Sequence, residues 1–173
     1  MKCAWVLPAA ADTIRLGSLL ARSCPWGASG PRLLYVSGEL GAGKTTLVGG
    51  LLAALGVAEA VRSPTYTLVE PYPLRLGLAV HVDLYRLAGP EELEPLALRD
   101  YFAANTLLLI EWPERAAMAL PSPDLAVQLQ INASEPGRVC RIEARSGAGE
   151  AWLAVIEQQS QSQTLTELGS VSP

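Results

Sequence analysis

A glycine-rich segment, GELGAGKTT at residues 38–46, has the residue types and the spacing that can hold a phosphate group. Gly38, Gly43, Lys44 and Thr45 fit the pattern G-x-x-x-x-G-K-[ST], in which consecutive backbone N–H groups surround phosphate oxygens. In this pattern the lysine ammonium reaches the β- and γ-phosphates, and the threonine hydroxyl is placed to ligate Mg²⁺. Glycine lets the chain come close to the anion, because it has no Cβ. The segment therefore predicts a site for the phosphates of a nucleotide.

The flanks of this segment favour the same interpretation over a turn that only joins a strand to a helix. An apolar, strand-like run at 33–36 precedes it, and apolar residues at helical spacing follow it as far as Leu55. A helix that begins near Lys44 would direct its unpaired N–H groups and the positive end of its dipole at the phosphate. The residues predicted to contact the nucleotide here are Glu39, Leu40, Gly41, Ala42, Gly43, Lys44, Thr45 and Thr46.

Two acidic residues, Asp83 and Glu111, directly follow apolar runs that predict β-strands. In open α/β sheets the ligand lies beyond the carboxyl ends of the strands. Mg²⁺ on a nucleotide takes one or two protein oxygens, so Thr45 with either acid would satisfy it. The second acid could then orient or deprotonate the attacking water, and Lys44 is a further catalytic candidate through its contact with the phosphates. The alternative for each acid is a solvated carboxylate at the end of a strand, and the sequence leaves open which acid has which role.

The segment SPTYTL, residues 63–68, places several hydroxyl groups, including that of Thr65, around a rigid proline. Such a segment could order around a γ-phosphate and loosen after hydrolysis. The alternative is the start of an edge strand, and the β-forming residues at 65–69 predict a strand there, with a turn at 71–77. The role of Trp112 is also undecided from the sequence, because an aromatic residue at this place can belong to the core or stack on a ligand.

The order of strand and helix signals predicts one α/β domain of the P-loop NTPase type, with three layers and a mixed, mainly parallel sheet. The run at 107–110 lacks polar alternation, which is typical of an interior strand. Alternating residues at 125–131 and 140–144 predict a C-terminal antiparallel hairpin, and a last helix is expected at about 149–158. We place the domain at residues 1–157 and expect a disordered tail at 158–173, which has few bulky residues.

Composition limits the classes of function. A chain of 173 residues, half of them hydrophobic, can bury one substantial core. The net charge of -4 argues against strong direct binding of nucleic acid, which requires an excess of lysine and arginine. Neither a membrane span nor a secretion signal is evident, so we expect a cytoplasmic protein. The three cysteines show no C-x-x-C spacing and predict buried thiols rather than disulfides or a zinc site.

Four segments in order, GELGAGKTT, SPTYTLVEPY, HVDLYRL and LLLIEWPERA, resemble the TsaE (YjeE) family of small ATPases in tRNA threonylcarbamoylation. The first indicates only a nucleotide-binding protein, whereas the other three are far more specific. The resemblance covers about residues 5–156 and implies an α/β P-loop fold, ATP and Mg²⁺ as ligands, and slow hydrolysis. Ala97 departs from it, because the family often has glycine there.

The resemblance also implies the roles of individual residues and the partners. By position it assigns Lys44 and Thr45 to phosphate and Mg²⁺, Asp83 to the acid of the DLYR segment, Glu111 and Trp112 to the IEW pair, and Thr65 to a switch-like segment. It implies that the chain works with TsaB and TsaD homologues, which attach a threonylcarbamoyl group to N6 of the adenosine beside the anticodon. The ATPase would help that complex to turn over.

Two other readings remain: a P-loop kinase of a small metabolite, and a nucleotide-binding adaptor that does not hydrolyse ATP. A guanine-specific switch and an ABC cassette are disfavoured, because the chain has neither N-K-x-D nor L-S-G-G-Q. A kinase usually needs a mobile basic lid. Arg141 and Arg145 lie on the predicted hairpin, which is a poor place for one, so the kinase ranks second.

Overall fold

A seven-stranded mixed sheet forms the centre of the molecule. The computed structural model describes residues 1–27, 30–64, 66–133 and 135–162. The strands are β1 (Lys2–Leu7), β2 (Arg32–Gly38), β3 (Val69–Leu74), β4 (Gly77–Asp83), β5 (Thr106–Glu111), β6 (Leu125–Ile131) and β7 (Arg138–Ala144), and the helices are α1 (Ala10–Ser23), α2 (Lys44–Ala54) and α3 (Gly147–Ser162). The order across the sheet is β1-β7-β6-β2-β5-β4-β3.

The strand pairings are evenly divided between parallel and antiparallel. β2 pairs in parallel with β5 and β6, and β4 pairs in parallel with β5. The pairs β1–β7, β6–β7 and β3–β4 are antiparallel. The predicted α/β fold with a mixed sheet and a C-terminal antiparallel hairpin is therefore confirmed, although parallel pairings are half of the total rather than the majority.

Alternate residues of the central strands pack into two separate hydrophobic clusters. In β5, Leu107 and Leu109 join the cluster that contains the buried side chains of the three helices. Leu108 and Ile110 join a second cluster on the other face of the sheet. Short 3-10 helices at Pro90–Leu96, Leu98–Tyr101 and Pro113–Ala116 contribute to that second cluster. Because both faces of β5 are covered, its sequence shows no polar alternation.

Helices α1 and α2 approach closely because glycines lie at their crossing. A Cβ on Gly50 of α2 would lie 2.5 Å from the backbone oxygen of Ile14 in α1. A Cβ on Gly17 of α1 would likewise collide with the backbone oxygen of Leu47. The neighbouring Gly49 is different, since its nearest contact would be Val61 at 3.8 Å. The crossing fixes α2, whose first residues belong to the glycine-rich loop.

The strand predicted at 65–69 is wrong in position. β3 begins at Val69 and passes through Pro71 and Pro73, which were expected to form a turn. A proline lacks the N–H that an interior strand must donate, but in the described part of the chain β3 is the last strand of the sheet, next to β4. The turn is formed instead by the two residues between β3 and β4, Arg75 and Leu76.

The last helix is longer than expected. α3 runs to Ser162, so the first five residues of the predicted tail, 158–162, are helical. No glycine or proline interrupts this stretch, and Ser160 is buried. The remainder of the predicted tail, 163–173, lies outside the described residues. Cys3, Cys24 and Cys140 are all buried, as predicted. None of the helices in the described ranges combines the length and hydrophobicity needed to cross a bilayer.

Candidate functional site

The carboxyl ends of β2, β4 and β5 meet at one edge of the sheet. Asp83 and Glu111 are register partners on β4 and β5, and Val36 of β2 is the partner of Glu111 on the other side. The glycine-rich loop leaves β2 at the same edge, and together these segments form a cleft of about 380 Å³. Its lining residues are Leu40, Gly41, Gly43, Lys44, Thr45, Thr46, Ser63, Asp83, Tyr85, Glu111, Trp112 and Arg138.

The loop has the backbone form of a phosphate cradle. Gly38, Gly41 and Gly43 have φ angles of 142°, 81° and 100°, in the region that favours glycine. Helix α2 begins directly after them, at Lys44, so its unpaired N–H groups lie beside the loop. Of the predicted loop residues, Glu39 and Ala42 do not line the cleft. Their backbone oxygens accept hydrogen bonds from Lys44 Nζ and Arg138 Nε, respectively.

Lys44 is held inside the cleft. Its Nζ donates to the backbone oxygens of Gly38 at 2.7 Å and Glu39 at 2.8 Å. The ammonium also lies 3.8 Å from the centre of the Trp112 ring, a cation–π contact. Burial lowers the pKa of Lys44, whereas the charges of Glu111 and other nearby acids act in the opposite direction. The backbone oxygens of Gly38 and Glu39 are neutral acceptors, so a bound anion would stabilise the Lys44 ammonium more than they do.

Glu111 connects the loop to the sheet. Its side chain is buried, and Oε2 accepts a hydrogen bond from Thr45 Oγ1 at 3.1 Å. The other oxygen, Oε1, lies 2.9 Å from Nε2 of the fully buried His81. The carboxylate therefore bridges α2 and β4, and its orientation is set from both sides.

Asp83 connects the cleft to the SPTYTL segment. Its Oδ2 accepts a hydrogen bond from the Ser63 hydroxyl, and Oδ1 accepts one from the Tyr85 backbone N–H at 2.9 Å. The Asp83 N–H in turn donates to the Leu68 backbone oxygen at 3.0 Å. Both ends of the segment thus contact the same acidic residue. Thr65, the residue predicted to contact the nucleotide here, lies outside the described residues.

The donor set of the cleft fits Mg²⁺ held together with a nucleotide. One hydroxyl and two carboxylates, those of Thr45, Glu111 and Asp83, are the oxygen donors that Mg²⁺ prefers. Among the described residues no group of three or more His, Cys, Asp or Glu side chains could enclose an ion without help. Such a sparse set is typical of nucleotide sites, where phosphate oxygens and water complete the coordination.

Sequence reasoning missed two residues that line the cleft, Arg138 and Tyr85, and one that lies beside it, His81. Arg138, at the start of β7, donates from Nε to the Ala42 backbone oxygen at 2.7 Å, and no local pattern marks it. Tyr85 packs against Trp112 with ring centres 5.0 Å apart. His81 lies beside the cleft, and its place two residues before Asp83 on one strand, which puts both side chains on the same face, is the signal that could have found it.

The two arginines considered for a kinase lid do not line this cleft. Arg141 donates to the Gln130 side chain on the neighbouring strand. Arg145 forms an ion pair with Glu143 at 2.7 Å. Both therefore bond to residues of the hairpin, and neither belongs to the lining of the glycine-rich loop.

Comparison with known proteins gives concordant matches. The family model "Threonylcarbamoyl adenosine biosynthesis protein TsaE" matches residues 7–140. A Haemophilus influenzae protein named "tRNA threonylcarbamoyladenosine biosynthesis protein TsaE" is 50% identical over 97 residues, a match that covers 56% of this chain and 61% of that protein. The protein of the same name from Treponema pallidum is 36% identical over 131 residues, covering 76% of this chain and 92% of the relative.

The fold also has a close counterpart among solved structures. The crystal structure of Bacillus subtilis YdiB superposes with a TM-score of 0.76, covering 92% of this chain and 97% of YdiB. The sequence identity is 24%, so this likeness supports the fold alone.

Proposed function

The chain belongs to the TsaE family, and on that premise we propose that it is a Mg²⁺-dependent ATPase subunit serving the formation of N6-threonylcarbamoyladenosine in tRNA. The proposed work is to bind ATP, hydrolyse it slowly and drive turnover of a complex of TsaB and TsaD homologues in the cytoplasm. The observation that carries the proposal is the hydrogen bond between Thr45 of the glycine-rich loop and Glu111 at the end of β5.

Binding of the triphosphate uses the loop and its lysine. Backbone N–H groups at the start of α2 surround the phosphate oxygens. The Lys44 ammonium exchanges the oxygens of Gly38 and Glu39 for those of the β- and γ-phosphates, a stronger acceptor set because it is charged. Arg138, which already contacts the loop, supplies a second positive charge at the cleft.

The two acids have separate tasks in this proposal. Thr45 and Glu111, which already contact each other, hold Mg²⁺ directly or through water. The ion, when bound, neutralises charge that develops on the phosphates. Asp83 orients the attacking water, and its hydrogen bond to Ser63 couples this task to the SPTYTL segment. Thr65 remains a predicted contact of the γ-phosphate within that segment.

The negative net charge of the chain is consistent with a protein that acts on tRNA through protein partners. With 13 basic and 17 acidic residues, the chain lacks the basic excess that direct binding to tRNA requires. The kinase alternative gains no support from Arg141 and Arg145, because both bond within the hairpin.

The test is a pull-down with purified TsaB and TsaD homologues, with and without ATP, together with a modification assay on tRNA. We expect nucleotide-dependent recovery of the partners, and modification that requires hydrolysable ATP. Lys44→Ala should lose both, and Lys2→Ala, which changes the other lysine of the chain, should lose neither. Failure to recover either partner under both conditions would favour the kinase, which an assay of phosphate transfer to small metabolites would then identify.

A further inference from the structure

His81 contacts the candidate Mg²⁺ ligand Glu111 without lining the cleft. The side chain is fully buried on β4, and Nε2 lies 2.9 Å from Glu111 Oε1. The other ring nitrogen, Nδ1, is buried with no hydrogen-bond partner in the described part of the chain. A buried polar atom without a partner carries a free-energy cost, so stability alone does not explain a histidine at this position.

The geometry determines the form of the ring. A carboxylate oxygen accepts hydrogen bonds and does not donate them, so the hydrogen on Nε2 points at Glu111. Nε2 of His81 is therefore the donor of this hydrogen bond, and Glu111 Oε1 is its acceptor.

We propose that His81 is a positioning residue for the divalent ion: it holds Glu111 Oε1 so that Oε2 faces the cleft. In the present structure Oε2 is also held by Thr45. When Thr45 and Oε2 both turn to an ion, that hydrogen bond is lost, and His81 is left as the hydrogen-bond donor that fixes the carboxylate. Partners behind a metal ligand commonly contribute about 10- to 100-fold to metal affinity.

Three variants separate positioning from general stability. His81→Leu removes the donor but keeps an apolar side chain of similar volume. His81→Gln restores an N–H donor at about the place of Nε2. Val80→Ala is the matched control, because Val80 is fully buried on the same strand but packs into the cluster on the other face of the sheet.

The measurement is the affinity for a non-hydrolysable ATP analogue by calorimetry, in Mg²⁺ and in EDTA. The ratio of the two affinities should fall by about tenfold or more in His81→Leu, recover in His81→Gln, and stay unchanged in Val80→Ala. An unchanged ratio in His81→Leu would overturn the proposal. The inference depends on the proposed function, which the wild-type protein tests separately. If the wild-type affinity for the analogue were the same in Mg²⁺ and in EDTA, the proposed metal site would itself be wrong.

A second measurement needs no variant and covers the case in which His81→Leu does not fold. His81 is the only histidine, so a protein without a histidine tag gives the imidazole nitrogen signals of one residue. We expect the spectrum of a ring with a hydrogen on Nε2, and a shift of that signal when Mg²⁺ is added to the protein with bound analogue. A ring without a hydrogen on Nε2, or a signal that does not change when Mg²⁺ is added, would refute the positioning role.

Discussion

Thr45 Oγ1 and Glu111 Oε2 are 3.1 Å apart, although the two residues are separated by 66 positions in the sequence. The contact forms because β2 and β5 are parallel neighbours, so the loop that follows one strand meets the residue that ends the other. A hydroxyl and a carboxylate at this place can share a divalent ion with the phosphates. The pair therefore links the fold to the proposed chemistry.

Removal of the Lys44 charge should abolish turnover. In Lys44→Ala the phosphates lose the ammonium that faces them, and hydrolysis should fall by about 100- to 1,000-fold. Triphosphate affinity should weaken as well. Single-turnover hydrolysis and calorimetry measure the two effects, with Lys2→Ala as the control. Unchanged hydrolysis in Lys44→Ala would disprove the assignment of the site.

Neutralising either acid should impair hydrolysis more than nucleotide binding. Glu111→Gln and Asp83→Asn keep the shape of the side chains but remove the charge that faces the ion or the water. We expect hydrolysis to fall by about 10- to 100-fold, with little change of affinity in EDTA. Glu150→Gln, an exposed change on α3, is the control. Equal loss of binding and hydrolysis would count against a catalytic role.

The crossing of α1 and α2 predicts opposite effects at two adjacent glycines. Gly50→Ala should lower the free energy of unfolding by about 1–3 kcal/mol, because the new Cβ has no room beside Ile14. Gly49→Ala should raise it by up to about 1 kcal/mol, since alanine favours a helix and the site has space. Urea denaturation of the two variants gives the comparison, and a loss of similar size in both would refute the close approach.

Ala97 has a φ angle of 48°, in the left-handed region. That conformation costs about 1–2 kcal/mol for a residue with a Cβ, and glycine would remove this strain. Glycine also makes the unfolded chain more flexible, which lowers the stability of the folded state by about 0.4–1 kcal/mol. Ala97→Gly should therefore stabilise the protein by roughly 0.5–1 kcal/mol. Ala53→Gly, in the exposed face of α2, should destabilise it by about 1 kcal/mol. Thermal denaturation measures both effects. If the melting temperatures of both variants were lower than that of the wild type, Ala97 would not be strained.

Sequence predicted the elements whose signals are local. The run at 107–110 marked a strand covered on both faces, and the alternation at 125–131 marked the hairpin. β3 was misplaced because its prolines are acceptable only at an edge, and edge position depends on the order of the whole sheet. The extension of α3 to Ser162 was missed because the polar composition of that stretch does not reveal the buried place of Ser160.

The candidate site was predictable where chemistry follows a strand or a motif. Lys44 and Thr45 came from the loop pattern, and Asp83 and Glu111 came from their places at strand ends. Arg138 could not be found in this way, because it reaches the loop only through the pairing of β6 with β2 and of β7 with β6. The proposed division of roles between the two acids could not be predicted from sequence either, since it depends on which carboxylate contacts Thr45.

The most direct test is a crystal structure of the protein with a non-hydrolysable ATP analogue and Mn²⁺, whose anomalous signal locates the ion in place of Mg²⁺. We expect the phosphates against the N–H groups at the start of α2. The ion should lie between Thr45 and Glu111, bound to them directly or through one water. A nucleotide bound elsewhere, or an ion without contact to either side chain, would contradict the account.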